Sequence, residues 1–194
     1  MKAFYVFLFG AIFFIVAGLL GTLVGDKAKF MLWMYDYRTT PTDYFFYYVT
    51  RLGEEYGYIA FGIYLWFQSW KKMLTVPILG GVVTLVTFLL KQYFQHERPV
   101  LYLNEMGWNN PMSVLGYHII TGLSSFPSGH SMAIWALCTL MAVLIKRGWF
   151  SVICVFIGVC VSLSRVYLMV HFLEDVVAGA MVGIALGYGV YYAY

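Results

Sequence analysis

Of 194 residues, 62% are hydrophobic and only 11% charged, with a mean hydropathy of +0.77; a soluble domain carries about 25% charged residues. That composition excludes a soluble enzyme and implies an integral membrane protein. The net charge of +3 is too small and too scattered for a nucleic-acid partner, and the length suits one membrane-embedded domain over residues 1–194.

Phe4 to Val24 is the first apolar run, near the ~20 residues a spanning helix needs. It is long for a signal peptide and lacks a small-residue cleavage site, so it reads as a retained first helix. Asp26 to Glu55 is mixed and rich in Tyr and Phe, with Thr39-Thr40-Pro41-Thr42 as a loop signal. Within it, Asp43 to Leu52 alternates aromatic and polar residues, as expected of a segment lying along the headgroup level.

Tyr56 to Trp70 is a shorter second span, and Leu74 to Leu90 the third, running into Lys91 with no breaker before Pro99. Val100 to Ser125 is a long connection, marked irregular by Asn109-Asn110-Pro111 and several glycines. Ser131 to Ile145, Trp149 to Leu163 and His171 to Tyr192 complete six expected spans. Gly179, Gly183 and Gly187 form a small-residue ridge on the last, suited to close packing within the chain or against a second copy. Cys138, Cys154 and Cys160 all lie inside apolar runs, without metal-ligand or disulfide-framework spacing, and read as packing residues.

Six spans place both termini on one side and bring three charged clusters together on the other. Lys2, Lys71, Lys72, Lys146 and Arg147 fall on the terminus side, which the positive-inside rule makes cytoplasmic. The clusters then face outward.

The first cluster is Lys91-Gln-Tyr-Phe-Gln-His-Glu-Arg98-Pro99. Seven helical residues are nearly two turns, so Lys91 and Arg98 are expected on one face, with Pro99 ending the helix. Two cations aimed into one space suit a phosphate; the bland alternative is a pair of snorkelling side chains. The second is Ser124 to Ser131, SSFPSGHS, just before an apolar helix. Ser128 fits an N-cap, Gly129 lets backbone approach a ligand, and free N–H groups at the helix start favour an anion. His130 could donate a proton to a leaving oxygen.

The third cluster is Arg165, His171 and Asp175. If His171 is helical, Asp175 lies on its face and can hold one ring nitrogen, leaving the other for a substrate as nucleophile or base. An interfacial Arg–Asp pair with a bystander histidine is the alternative. Together the clusters supply three cations, an N–H nest, two histidines and a carboxylate. That set matches a phosphate better than a carboxylate or an amide. With no cluster of acidic ligands to hold magnesium, the chemistry suggested is phosphoryl transfer without metal or cofactor.

Lys91-x6-Arg98-Pro99, Pro127-Ser128-Gly129-His130 and Ser164-Arg165-x5-His171-x3-Asp175 resemble the three signature motifs of type 2 phosphatidic acid phosphatases, in order and internal spacing. The resemblance implies an all-α bundle of about six transmembrane helices. It also implies that His171 attacks phosphorus to form a phosphohistidine, oriented by Asp175. His130 would protonate the leaving group, while Lys91, Arg98, Ser128, Gly129 and Arg165 hold the phosphoryl oxygens. The expected substrate is a lipid phosphate or diphosphate in a bacterial-type plasma membrane: undecaprenyl diphosphate, phosphatidylglycerol phosphate, phosphatidate or a lipid A phosphate. A phosphotransferase using an alcohol, and a non-catalytic lipid-phosphate binder or transporter, are the competing readings. His96, Glu97, Glu105, Trp108, His118 and Glu174 occupy no motif position and are assigned no role.

Overall fold

The computed structural model describes residues 2–108, 110, 112–118 and 120–194. Asn109 and Pro111 of the Asn-Asn-Pro signal lie outside the described residues. In chain order the helices are α1 (Lys2–Thr22), α2 (Lys29–Asp36), α3 (Thr40–Val49), α4 (Glu55–Trp66), α5 (Trp70–Phe94), α6 (Pro99–Glu105), α7 (Gly129–Ile145), α8 (Gly148–Tyr167) and α9 (Leu173–Ala193), with a 3-10 turn at Thr50–Gly53. There is no strand among the described residues.

Among the described residues, four helical segments are long and apolar enough to cross a bilayer: α1, Trp70–Glu105 (which includes α5), α8 and α9. Their outer faces are apolar as well, with Phe9 and Phe13 of α1 exposed by 77% and 70%, as befits helices solvated by lipid. α7, at 17 residues, is shorter and lies at the centre, with Trp135, Ala136 and Leu140 fully buried. α4 falls furthest short of the expected span. Its 12 residues extend about 18 Å, against about 30 Å of hydrocarbon.

The six longer helices alternate in direction. Phe4 stacks on Tyr188 at one end, while Gly18 and Gly21 of α1 approach Val177 and Leu173 at the other, so α1 and α9 are antiparallel. Both chain ends therefore lie at the end of the bundle away from Asp175.

α7 and α9 run parallel along the glycine ridge. A Cβ on Gly179, Gly183 or Gly187 would sit 2.5, 2.3 and 2.3 Å from the carbonyl oxygens of Ser128, Met132 and Ala136. The ridge is thus used inside one chain, where small residues let two backbones touch.

A buried polar relay fixes the register of three helices. Trp135 Nε1 of α7 donates to Ser162 Oγ of α8 at 2.9 Å, and Ser162 Oγ lies 2.8 Å from Ser131 Oγ. Ser131 in turn donates to the Val176 carbonyl of α9 at 2.6 Å. Arg165 is one turn beyond Ser162, His130 adjoins Ser131, and Asp175 adjoins Val176. The relay therefore sits directly beneath the residues of the three motifs.

Several local expectations change. Thr39–Thr42 is not a loop but the start of α3, because Thr39 caps Thr42 N–H and Pro41 occupies the first turn, where its missing N–H costs nothing. Val100 to Ser125 is not wholly irregular, since Pro99 opens α6 instead of only closing α5. α7 begins at Gly129, two residues before the expected Ser131.

Candidate functional site

α5 ends at Phe94, where Gln95 adopts a left-handed conformation with φ 47°, four residues before Arg98. Lys91 and Arg98 therefore do not share a helix face, as the uninterrupted reading expected. Arg98 is extended (φ −79°, ψ 154°) as the N-cap of α6, and its amide donates to the Gly122 carbonyl at 3.1 Å. This refolding carries the guanidinium inward. Its Nη1 donates to the Val170 carbonyl at 3.0 Å and its Nη2 to the Ser124 carbonyl at 3.1 Å. Arg98 is thereby packed between the second and third clusters, while Lys91 stays on the last turn of α5, half-buried.

Arg165 lies in the last turn of α8 and is 1% exposed. Its Nη1 donates to Thr50 Oγ1 at 2.8 Å and to the Tyr117 hydroxyl at 2.7 Å, and its Nε is buried without a hydrogen-bond partner. Among the described residues neither arginine has a carboxylate within salt-bridge distance; the ion pairs are His130–Glu54 and His171–Asp175. All the oxygens that Arg98 and Arg165 touch are neutral.

Ser128 caps α7 as expected, its Oγ accepting from Ser131 N at 3.5 Å. Gly129 faces α5, where a Cβ would stand 3.1 Å from Thr87 Cγ2, so glycine here serves close helix approach as well as any ligand. His130 follows in the first turn, its Nε2 3.2 Å from Glu54 Oε1.

His171 is not helical, which corrects the basis for pairing it with Asp175. α9 begins at Leu173, and His171 lies in the turn after α8, its amide donating to the Arg165 carbonyl at 3.2 Å. The pair forms nonetheless, through helix capping. Asp175 Oδ2 accepts from Phe172 N at 3.0 Å, from Ser125 Oγ at 2.5 Å and from His171 Nδ1 at 3.2 Å. An ionised carboxylate only accepts, so Nδ1 carries the proton and Nε2 keeps its lone pair. Burial first, then the nearby cations Arg165, Arg98 and Lys91, push the His171 pKa well below its ordinary value, which keeps the ring neutral.

The structure thus brings Arg98, Ser128, Gly129, His130, Arg165, His171 and Asp175 to one end of the bundle, with Lys91 beside them. It also adds Thr50, Glu54 and Tyr117, which no motif contains, and gives Ser125 a role as donor to Asp175. A groove of about 610 Å³ leads from Gly53 and Glu54 between α4 and α5, past Gly62 and Gly80 to Met73. For a cation, His96, Glu174 and Asp175 bring one donor atom each within 4.8 Å of one another. His96 is distant in the chain from the adjacent Glu174 and Asp175, and the turn after α5 brings it to them.

The profile of the PAP2 superfamily matches residues 69–194, which include all three clusters. The chain belongs to the PAP2 superfamily. No curated protein matches it closely enough to count as a relative. Among solved structures, Aquifex aeolicus LpxE superposes with a TM-score of 0.71 at 21% identity, covering 84% of this chain and 93% of its own. The first transmembrane PAP2 type phosphatidylglycerolphosphate phosphatase from Bacillus subtilis also gives 0.71, at 22% identity, over 100% of this chain and 96% of its own. At such identities the likeness shows the fold: that of membrane PAP2 phosphatases. The matched residues begin after Glu54 and Thr50, so the superfamily's motifs carry no signal for either.

Proposed function

We propose that this PAP2 member is a membrane phosphatase that hydrolyses a lipid phosphomonoester or diphosphate through a phosphohistidine on His171, without metal. The observation that carries the reading is the pair of buried guanidiniums without acidic partners. An uncompensated charge in a protein interior is strongly unfavourable, and an anionic substrate supplies the compensation. Gly129 adds its N–H and Ser128 its hydroxyl at the start of α7, where a helix favours negative charge; the Ser128 amide is already bonded to the Asp175 carbonyl. The phosphoryl group is held by these donors, with Lys91 at the open edge.

Nε2 of neutral His171 attacks phosphorus while Nδ1–H stays on Asp175, so positive charge developing on the ring is met by the carboxylate. His130 protonates the departing oxygen, and water then takes the phosphoryl group from His171. A lipid chain has an apolar path in the groove between α4 and α5, which starts at the same end of the bundle. The phosphatidylglycerolphosphate phosphatase among the structural neighbours favours a lipid phosphate as substrate. The basic loops near both termini support a cytoplasmic terminus side and an outward-facing site.

The test is phosphate release by purified protein in detergent across a panel of lipid phosphates, with EDTA present and His171→Ala alongside. Release that survives EDTA and is abolished in the variant supports the reading. Release that needs added metal and is lost in His96→Ala would instead assign a cation to His96, Glu174 and Asp175. Absence of release from folded protein would favour a lipid-phosphate binder.

A further inference from the structure

We infer that Glu54 is a positioning residue for proton transfer: it holds His130 so that the nitrogen it does not bind delivers the proton to the leaving oxygen. The inference rests on the phosphatase reading above and adds a residue outside both the three motifs and the superfamily match.

Three contacts from one short turn support it. Thr50, fully buried, accepts from Arg165 Nη1 at 2.8 Å. Gly53 packs so tightly that a Cβ would stand 2.8 Å from Val161 Cγ1 and 3.1 Å from the His130 carbonyl oxygen. Glu54 Oε1 then meets His130 Nε2 at 3.2 Å. A surface acid that reached a histidine by chance would not sit on a turn already locked to α7 and α8. The hydrogen bond from His130 is the main cause holding the Glu54 carboxyl below its ordinary value, so it is an anion where it meets the ring.

Each histidine of the site therefore has its own carboxylate. Asp175 fixes His171 with a lone pair outward. Glu54, an anion 3.2 Å from His130 Nε2, interacts best with that ring when it carries a second proton. In the first step the Nε2 lone pair of His171 forms the P–N bond and the P–O bond to the leaving group breaks. The departing oxygen takes the proton from His130, whose other N–H stays on Glu54. In the second step the attacking water returns a proton to His130 as its oxygen forms the new P–O bond and the P–N bond breaks.

Leaving-group dependence provides the test. An alkyl phosphate needs a proton on its departing oxygen, whereas a nitrophenyl phosphate leaves as a stable anion. Glu54→Gln keeps shape and hydrogen bonding but not charge. It should lower kcat for the alkyl ester by about 10-fold or more, a part of the roughly 10²–10⁴-fold a general acid contributes, with KM little changed and the aryl ester nearly unaffected. Glu54→Asp should recover part of the loss, and Glu54→Gln combined with His130→Ala should be no slower than His130→Ala alone. Equal loss on both esters, or additive loss in the double variant, would overturn the inference. Wild type that releases phosphate from neither ester would overturn the parent reading with it, while an active wild type and an inactive His171→Ala preserve that reading whatever Glu54 does.

Discussion

The amide of Ser128 donates to the backbone carbonyl of Asp175 at 3.0 Å. Through this bond the loop that caps α7 is tied to the first turn of α9, so two motifs about fifty residues apart move as one unit. Asp175 works at both ends of this joint. Its carboxylate gathers Ser125, Phe172 and His171, and its main chain holds Ser128.

A methyl group placed in this joint should harm activity beyond its effect on folding. Gly179→Ala would push against the Ser128 carbonyl from 2.5 Å, whereas Gly187→Ala meets the Ala136 carbonyl at 2.3 Å, two turns further from the site. Both should destabilise by about 1–3 kcal/mol, the usual cost of overpacking. Only Gly179→Ala should also lower turnover per folded molecule. Thermal unfolding in detergent, run beside phosphate release, separates the two effects.

Arg98→Lys should be a poor replacement despite the kept charge. Arg98 spans from the Val170 carbonyl to Ser124 with separate nitrogens of one rigid fork, and an ammonium is a single point. Losing one charge-assisted bond should destabilise the fold by about 1.5–3 kcal/mol. Thermal unfolding in detergent reads it directly, and a melting temperature equal to wild type would refute the bridging role.

His171 should make the protein acid-sensitive. Its pKa is lowered in the folded state from an ordinary value of 6.5, mainly by burial and then by Arg165, Arg98 and Lys91. Below 6.5 the unfolded chain takes up the proton and the folded chain does not, so this contribution to stability is complete above 6.5 and is lost as pH falls toward the folded value. The melting temperature should drop with pH in that window, and His171→Gln should flatten the drop. An unchanged slope in the variant would assign the acid sensitivity elsewhere.

The order of apolar runs made the bundle legible, because lipid demands long apolar helices and the chain supplies few other ways to use such segments. The motif residues were legible for a related reason: a charge in such sequence stands out. What the sequence hid was geometry set by single residues. Gln95 terminates α5 with neither glycine nor proline, so the shared face of Lys91 and Arg98 was an illusion of spacing. His171 and Asp175 meet as expected but through a capping turn, since spacing of four fits both a helix face and a helix start. Thr50, Glu54 and Tyr117 had no local signal at all. They sit in polar, aromatic connections that resemble ordinary headgroup-level sequence, and only tertiary packing brings them to Arg165 and His130.

The alternation of the six longer helices gathers every one of these polar groups at a single end, with the other end bearing both chain ends. A phosphatase with this layout reads headgroups in one leaflet alone. Copies of the same lipid in the opposite leaflet are invisible to it until they cross the bilayer. In a cell its throughput would be bounded by transbilayer traffic as much as by chemistry, and depletion of one leaflet would itself draw lipid across.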